Sequence, residues 1–148
     1  MNKNFTKFTA FILTFALACC CLLFSGCKGA KSYEGTYKFK ELKVEEHGTE
    51  FSFEVGDKFE GMRLTEDFVT VTIDEEKAIV RICMYEEEGD GEIDEETEVY
   101  VYRWVNVDDE AYFYTEGDSE VEYIAKKDGK TLTIDVDFGD AMTIVLEK

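Results

Sequence analysis

The C-terminal stretch KTLTIDVDFGDAMTIVLEK, residues 130–148, decides how the rest of the chain is read. Leu132, Ile134 and Val136 alternate with Thr131, Thr133, Asp135 and Asp137, and past Gly139-Asp140 the alternation resumes at Met142, Ile144 and Leu146. Successive side chains leave a pleated backbone on opposite sides, so period two marks a strand with one buried and one wet face. Two such runs joined by a short polar turn predict an antiparallel hairpin.

The same grammar runs back through the chain. Val69, Val71 and Ile73 alternate with Thr70, Thr72 and Asp74. Turn residues fall at Glu46-His47-Gly48, Asp74-Glu75-Glu76, Asp108-Asp109, Glu116-Gly117-Asp118, Lys127-Asp128-Gly129 and Gly139-Asp140. Turns about ten residues apart predict an all-β, antiparallel up-and-down meander. The only segment with room for a helical turn or two is residues 55–64. About eight strands suffice to close a small barrel, and closure removes the sheet edges that a proline-free chain leaves unprotected. A two-sheet sandwich of the same strands is the alternative.

Residues 99–107 differ from the other strands, because both faces are apolar or aromatic. Val99, Val101, Val105 and Val107 share one face with Arg103, and Tyr100, Tyr102 and Trp104 occupy the other. A central strand covered on both sides explains this, since β-branched and aromatic residues suit strands. The functional reading makes Tyr100, Tyr102 and Trp104 the lining of a ligand cavity, or the valine face a contact for a partner.

The first 27 residues are of another kind. Lys3 and Lys7 precede a mostly apolar run, and Ser25-Gly26 supplies small residues before Cys27. This is the layout of a secretory signal peptide, with an uncleaved anchor helix as the alternative. Phe24-Ser25-Gly26-Cys27 resembles the bacterial lipobox, with Phe24 in place of the usual leucine. The resemblance implies cleavage after residue 26 and a diacylglyceryl group on the Cys27 sulfur. It also implies anchorage on the extracytoplasmic face of the cell membrane, where two acyl chains give firm attachment. Residues 27–32 then form a lipidated tether and 33–148 a single domain. Lys28 is not the aspartate associated with inner-membrane retention.

Removing that leader removes two of the sixteen basic residues and none of the thirty-four acidic ones, leaving a net charge of −20. Such a charge argues against nucleic acid and anionic headgroups as partners and favours solubility, a cationic partner or divalent counter-ions; the chain is expected to be a monomer. Cys19, Cys20 and Cys21 leave with the leader, so Cys83 is the one thiol left in the domain and is expected to be an inert strand side chain.

Gly35-Thr36-Tyr37-Lys38-Phe39, together with Asp128-Gly129-Lys130-Thr131-Leu132-Thr133-Ile134 and the closing Leu146-Glu147-Lys148, resembles small bacterial lipoproteins with a lipocalin-like barrel. Tyr37 stands where true lipocalins carry the tryptophan of Gly-x-Trp. The resemblance implies an eight-stranded barrel and a non-catalytic role. An interior of that size is filled by side chains or holds one small molecule.

Glu86-Glu87-Glu88-Gly89-Asp90-Gly91-Glu92-Ile93-Asp94 looks like part of an EF-hand calcium loop, with Glu86, Glu88, Asp90 and Asp94 as candidate oxygen ligands. Thr97 replaces the bidentate glutamate at position twelve, and the flanks read as strands rather than helices. A solvated hairpin loop of repelling charges explains the same residues. At most this is weak calcium binding, and no other cofactor is expected. His47 is the sole histidine, and Ser32, Ser52 and Ser119 lie in no nucleophile elbow. The chain therefore reads as a non-catalytic lipoprotein binding a small apolar or cationic ligand. The alternative is a structural or protein-interaction module at the cell surface.

Overall fold

The computed structural model describes residues 33–87, 91–137 and 140–148. The leader, Cys27, Glu88 and Asp90 lie outside the described residues. The elements in chain order are β1 (Gly35–Glu46), β2 (Thr49–Glu54), β3 (Lys58–Phe59), β4 (Met62–Arg63), β5 (Val69–Ile73), β6 (Lys77–Glu87), β7 (Ile93–Val107), β8 (Glu110–Thr115), β9 (Tyr123–Asp128), β10 (Thr131–Asp137) and β11 (Ala141–Glu147).

Strands β5 to β11 pair in sequence order, β11 pairs with β1, and β1 returns to β5. The result is a closed antiparallel barrel of eight strands, β1 and β5–β11. A sandwich would leave β1 and β5 apart. Instead they are joined by a short ladder running from Gly35 opposite Ile73 to Lys38 opposite Thr70. Each turn anticipated between paired strands joins neighbours in this ring or the β1–β2 hairpin. At Asp108-Asp109 both residues have positive φ (51° and 66°), the backbone a tight hairpin turn requires.

Strand β1 serves two partners along one edge. Its first residues pair with β5, and Glu41 to Glu46 pair with β2 outside the ring. The register against β11 slips between Phe39 and Glu41, a bulge that inserts one residue. That insertion explains why buried positions run Tyr37, Phe39 and then Leu42, Val44. Without it the later pair would face water. Leu42 and Val44 join Phe39 and Leu64 in a cluster flanked by Phe53, Phe59, Phe68, Met142 and Ile144.

Residues 55–64, open to a helical turn on sequence, fold instead around the two-residue strands β3 and β4. Phe59 pairs with Met62 across Glu60 (φ 49°) and Gly61 (φ 86°), so two consecutive left-handed residues close a hairpin that a helix cannot accommodate.

One end of the barrel holds large buried side chains. Tyr33, Tyr37, Trp104, Leu132 and Leu146 are buried there, and the buried alanines Ala78, Ala111 and Ala125 leave room for the rings. Every polar atom on these rings has a partner. Tyr37 Oη donates to the Tyr33 carbonyl at 2.7 Å, Trp104 Nε1 donates to the Asp74 carbonyl at 2.8 Å, and Tyr33 Oη donates to the Asp109 carbonyl.

Candidate functional site

Toward the other end the interior is not filled. A cavity of about 400 Å³ opens there, lined by aliphatic side chains of β5, β6, β10 and β11, by Phe113, and by Tyr100, Tyr102 and Tyr123. Glu98 and Glu122 complete the lining, and no lysine or arginine is among the described residues that form it. The volume lies within the range of pockets that hold small molecules.

Parity along the strands places these groups. Glu98, Tyr100, Tyr102 and Trp104 follow one another at every second position of β7, so all face inward. Tyr100 sits at the rim, 41% exposed, and Tyr102 lies deeper at 5%. Their rings stack at 6.4 Å between centroids, Tyr102 meets Tyr123 edge-on at 5.7 Å, and Phe113 stacks beneath Tyr102 at 6.2 Å. The tyrosines therefore form one continuous wall between Glu98 on β7 and Glu122 beside β9.

Both carboxylates are oriented by hydroxyls. Tyr100 Oη donates to Glu98 Oε2 at 2.6 Å, and Thr115 Oγ1 donates to Glu122 Oε2. Burial pushes the Tyr102 hydroxyl well above the ordinary tyrosine range, reinforced by Tyr123 and the Glu122 charge. Burial likewise raises Tyr123, and the bond to Glu98 is the main cause that raises Tyr100. The wall stays neutral, with its polar tips beside two negative charges.

The three aromatics singled out on sequence thus separate. Tyr100 and Tyr102 line the cavity, whereas Trp104 lies one step deeper, in the packed end. Glu98 was hidden in the acidic stretch, although its spacing of two from Tyr100 carries the signal. Glu122 and Tyr123 follow a turn, and no period in the sequence marks them.

The acidic segment is mostly ladder. Strand β7 begins at Ile93, and pairing with β6 continues out to Glu86 opposite Asp94 and Glu87 opposite Ile93. Strands flank the residues between, and Glu86 and Asp94 stand as cross-strand neighbours. Among the described residues no three of His, Cys, Asp and Glu come together as a metal site. Cys83 is buried, and Thr97 Oγ1 points to its Sγ at 3.6 Å.

The outer face of β7 is bare, not covered as a central strand would be. Val99 and Val101 are 58% and 53% exposed, and Val105 and Val107 are also exposed. Arg81 stands opposite Val99, Ile79 opposite Val101, and Lys77 opposite Arg103. The Arg103 guanidinium lies 4.6 Å from the Tyr114 ring centroid and donates to the Asp118 carbonyl at 2.6 Å. A groove of about 520 Å³ runs over Glu110, Ile124, Lys126 and Asp135, crossed by the Lys126–Glu110 ion pair at 3.2 Å, and it shares Glu122, Tyr123 and Val136 with the cavity lining.

Comparison of the chain with protein-family models, with curated proteins and with solved structures finds no match in any of the three.

Proposed function

We propose that this chain is a non-catalytic, lipid-anchored extracytoplasmic module that binds a small molecule inside its barrel. The observation that carries the reading is the interior cavity, open at one end and walled by aliphatic and tyrosine side chains. Its lining suits burial of an apolar body, which contributes roughly 25 cal/mol per Å² of apolar surface removed from water. The sole histidine lies in the β1–β2 turn, exposed, so it supplies no base to the cavity. The anchoring part rests on Cys27 and the lipobox-like residues before it.

Native mass spectrometry of the protein purified from its membrane tests the binding. A bound small molecule that is lost from a Val80→Phe variant supports it, and a mass equal to the bare lipidated chain counts against it. Fractionation of Cys27→Ala tests the anchor, since a variant that still pellets with membranes removes the lipid from the account.

The exposed valines of β7 favour a second reading, in which this face contacts a protein. Lys77, Arg81 and Arg103 surround the valines on an otherwise acidic body, so the matching partner surface is apolar with acidic residues at its rim. Val101→Glu with Val105→Glu should dissolve a defined complex on a native gel while leaving the melting temperature intact. Identical migration of wild type and variant would remove this reading.

A further inference from the structure

We infer that the barrel cavity takes an amphipathic organic cation: an apolar body bearing a protonated or quaternary amine. The inference rests on the binding reading above and adds the chemistry of the ligand. Three features of the lining point the same way.

The first is charge. Glu98 and Glu122 lie at opposite ends of the tyrosine wall, and no basic side chain among the described lining residues answers them. The ion pairs of the described residues, such as Lys40–Glu147 at 3.0 Å and Lys43–Glu50 at 3.9 Å, leave both out. Each accepts a hydroxyl hydrogen bond that aims the carboxylate and leaves lone pairs for a further donor.

The second is the wall itself. Ring faces are the negative side of an aromatic quadrupole, and a cation within about 6 Å of a tyrosine face is attracted, more strongly as the site is desolvated. Tyr102 stacks on both Tyr100 and Phe113 and meets Tyr123 edge-on, so the rings offered to an amine are the rim tyrosines Tyr100 and Tyr123, beside the two carboxylates. Burial keeps Tyr102 in its neutral form.

The third is the apolar remainder of the lining. Val80 stands opposite Tyr100 and Ile82 opposite Glu98, and with Val69, Ile134, Val136, Ile144 and Phe113 they make the rest of the lining apolar. A hydrated inorganic cation gains nothing from that apolar surface. An anion meets two like charges at the rim, and a neutral hydrocarbon leaves them unused. Only a molecule with both parts uses the whole lining, and the field of the acidic body draws cations toward it.

The test is calorimetric titration of the full chain in zwitterionic nanodiscs, blanked against empty nanodiscs, with hexyltrimethylammonium, hexanol and hexanoate as matched probes. The expected order is the cation tightest, by about ten-fold over hexanol, and hexanoate weakest. Glu98→Gln with Glu122→Gln should weaken the cation by about ten-fold and leave hexanol unchanged. Raising the salt concentration on wild type should weaken the cation alone, a readout that needs no variant. Equal affinity for the cation and hexanol, or a cation affinity indifferent to both salt and the double variant, overturns the cation assignment while the binding module stands. Absence of heat from all three probes at millimolar concentration overturns the binding module and this inference with it.

Discussion

Val71 and Val80 offer a controlled test of whether the upper barrel is open space. They face each other as cross-strand partners on β5 and β6 and so point to the same side of the sheet. Val71 is 0% exposed in packed interior, whereas Val80 is only half-buried and lines the cavity. Phenylalanine adds roughly four carbons to either site, worth about 0.8 kcal/mol for each one buried. At Val80 the ring has about 400 Å³ to enter. If half of the added surface is buried, the gain is about 1.5 kcal/mol, reduced by about 0.5–1 kcal/mol of rotamer entropy. Val80→Phe should therefore be neutral or stabilising, up to about 1 kcal/mol. At Val71 the same ring must displace neighbours, and overpacking costs about 1–3 kcal/mol. Urea denaturation of both variants measures the difference, expected at about 2–3 kcal/mol, with unchanged slopes. Equal destabilisation of the two would mean that the cavity is not there to be filled.

Tyr37→Phe removes the hydroxyl that donates to the Tyr33 carbonyl at 2.7 Å in the packed end, and the orphaned carbonyl should cost about 1–2 kcal/mol in the same urea assay; a loss below a few tenths would deny that bond a structural role. Spectrophotometric titration of the native protein should show Tyr102 and Tyr123 ionising well above the ordinary value of about 10. Because their folded values are raised, the stability they contribute is whole below about pH 10 and is lost as pH climbs toward the folded values; all eight tyrosines titrating together near the ordinary value would contradict the burial of the wall. At the β5–β6 turn, the backbone N–H groups of Glu76 and Lys77 both donate to Asp74 Oδ1 at 2.9 Å and hold its carboxyl below the ordinary range. Its contribution is present above the ordinary aspartate value and fades as pH falls through the lower folded one. Asp74→Ala should lower the melting temperature at neutral pH and flatten its acid dependence, with Asp74→Asn intermediate, and parallel acid profiles for wild type and Asp74→Ala would reject this.

Much of the barrel was legible because a strand's period is local. Alternation at Val69-Val71-Ile73 and Leu132-Ile134-Val136 marks β5 and β10, and the turn residues mark the ends of the hairpins. What escaped depends on contacts between distant segments. The slip after Phe39 changes which residues of β1 face inward, yet nothing local in Phe39-Lys40-Glu41 announces it. The extension of β7 back to Ile93 is carried by pairing with β6, which outweighs the like charges that read as a loop. The bare valine face escaped for a similar reason. Apolar residues on both sides of a strand suggest two covering layers, whereas a single closed sheet supplies only one interior.

Whether the barrel is full or hollow turns on the parity of its aromatic residues, not on their number. Tyr112 and Tyr114 alternate with the buried Ala111 and Phe113 and so stand on the outside of β8, contributing nothing to the interior. Of the rings that do face inward, Tyr33, Tyr37 and Trp104 gather at one end, where three alanines accommodate them. At the other end the valines and isoleucines of β5, β6, β10 and β11 are too short to reach the tyrosine wall across the barrel. The cavity is thus the space that short side chains on four strands leave across from the tyrosines of β7 and β9. Two tyrosines at its rim, Tyr100 and Tyr123, turn that space into a site, because their hydroxyls and ring faces supply polarity where the aliphatic lining has none. A sequence with the same composition and the same period, but with Trp104 and Tyr100 exchanged, would place the larger ring in the open end and a buried phenol in the packed one. It would keep the hairpins, take up only a small part of the cavity and leave the Asp74 carbonyl without its indole partner.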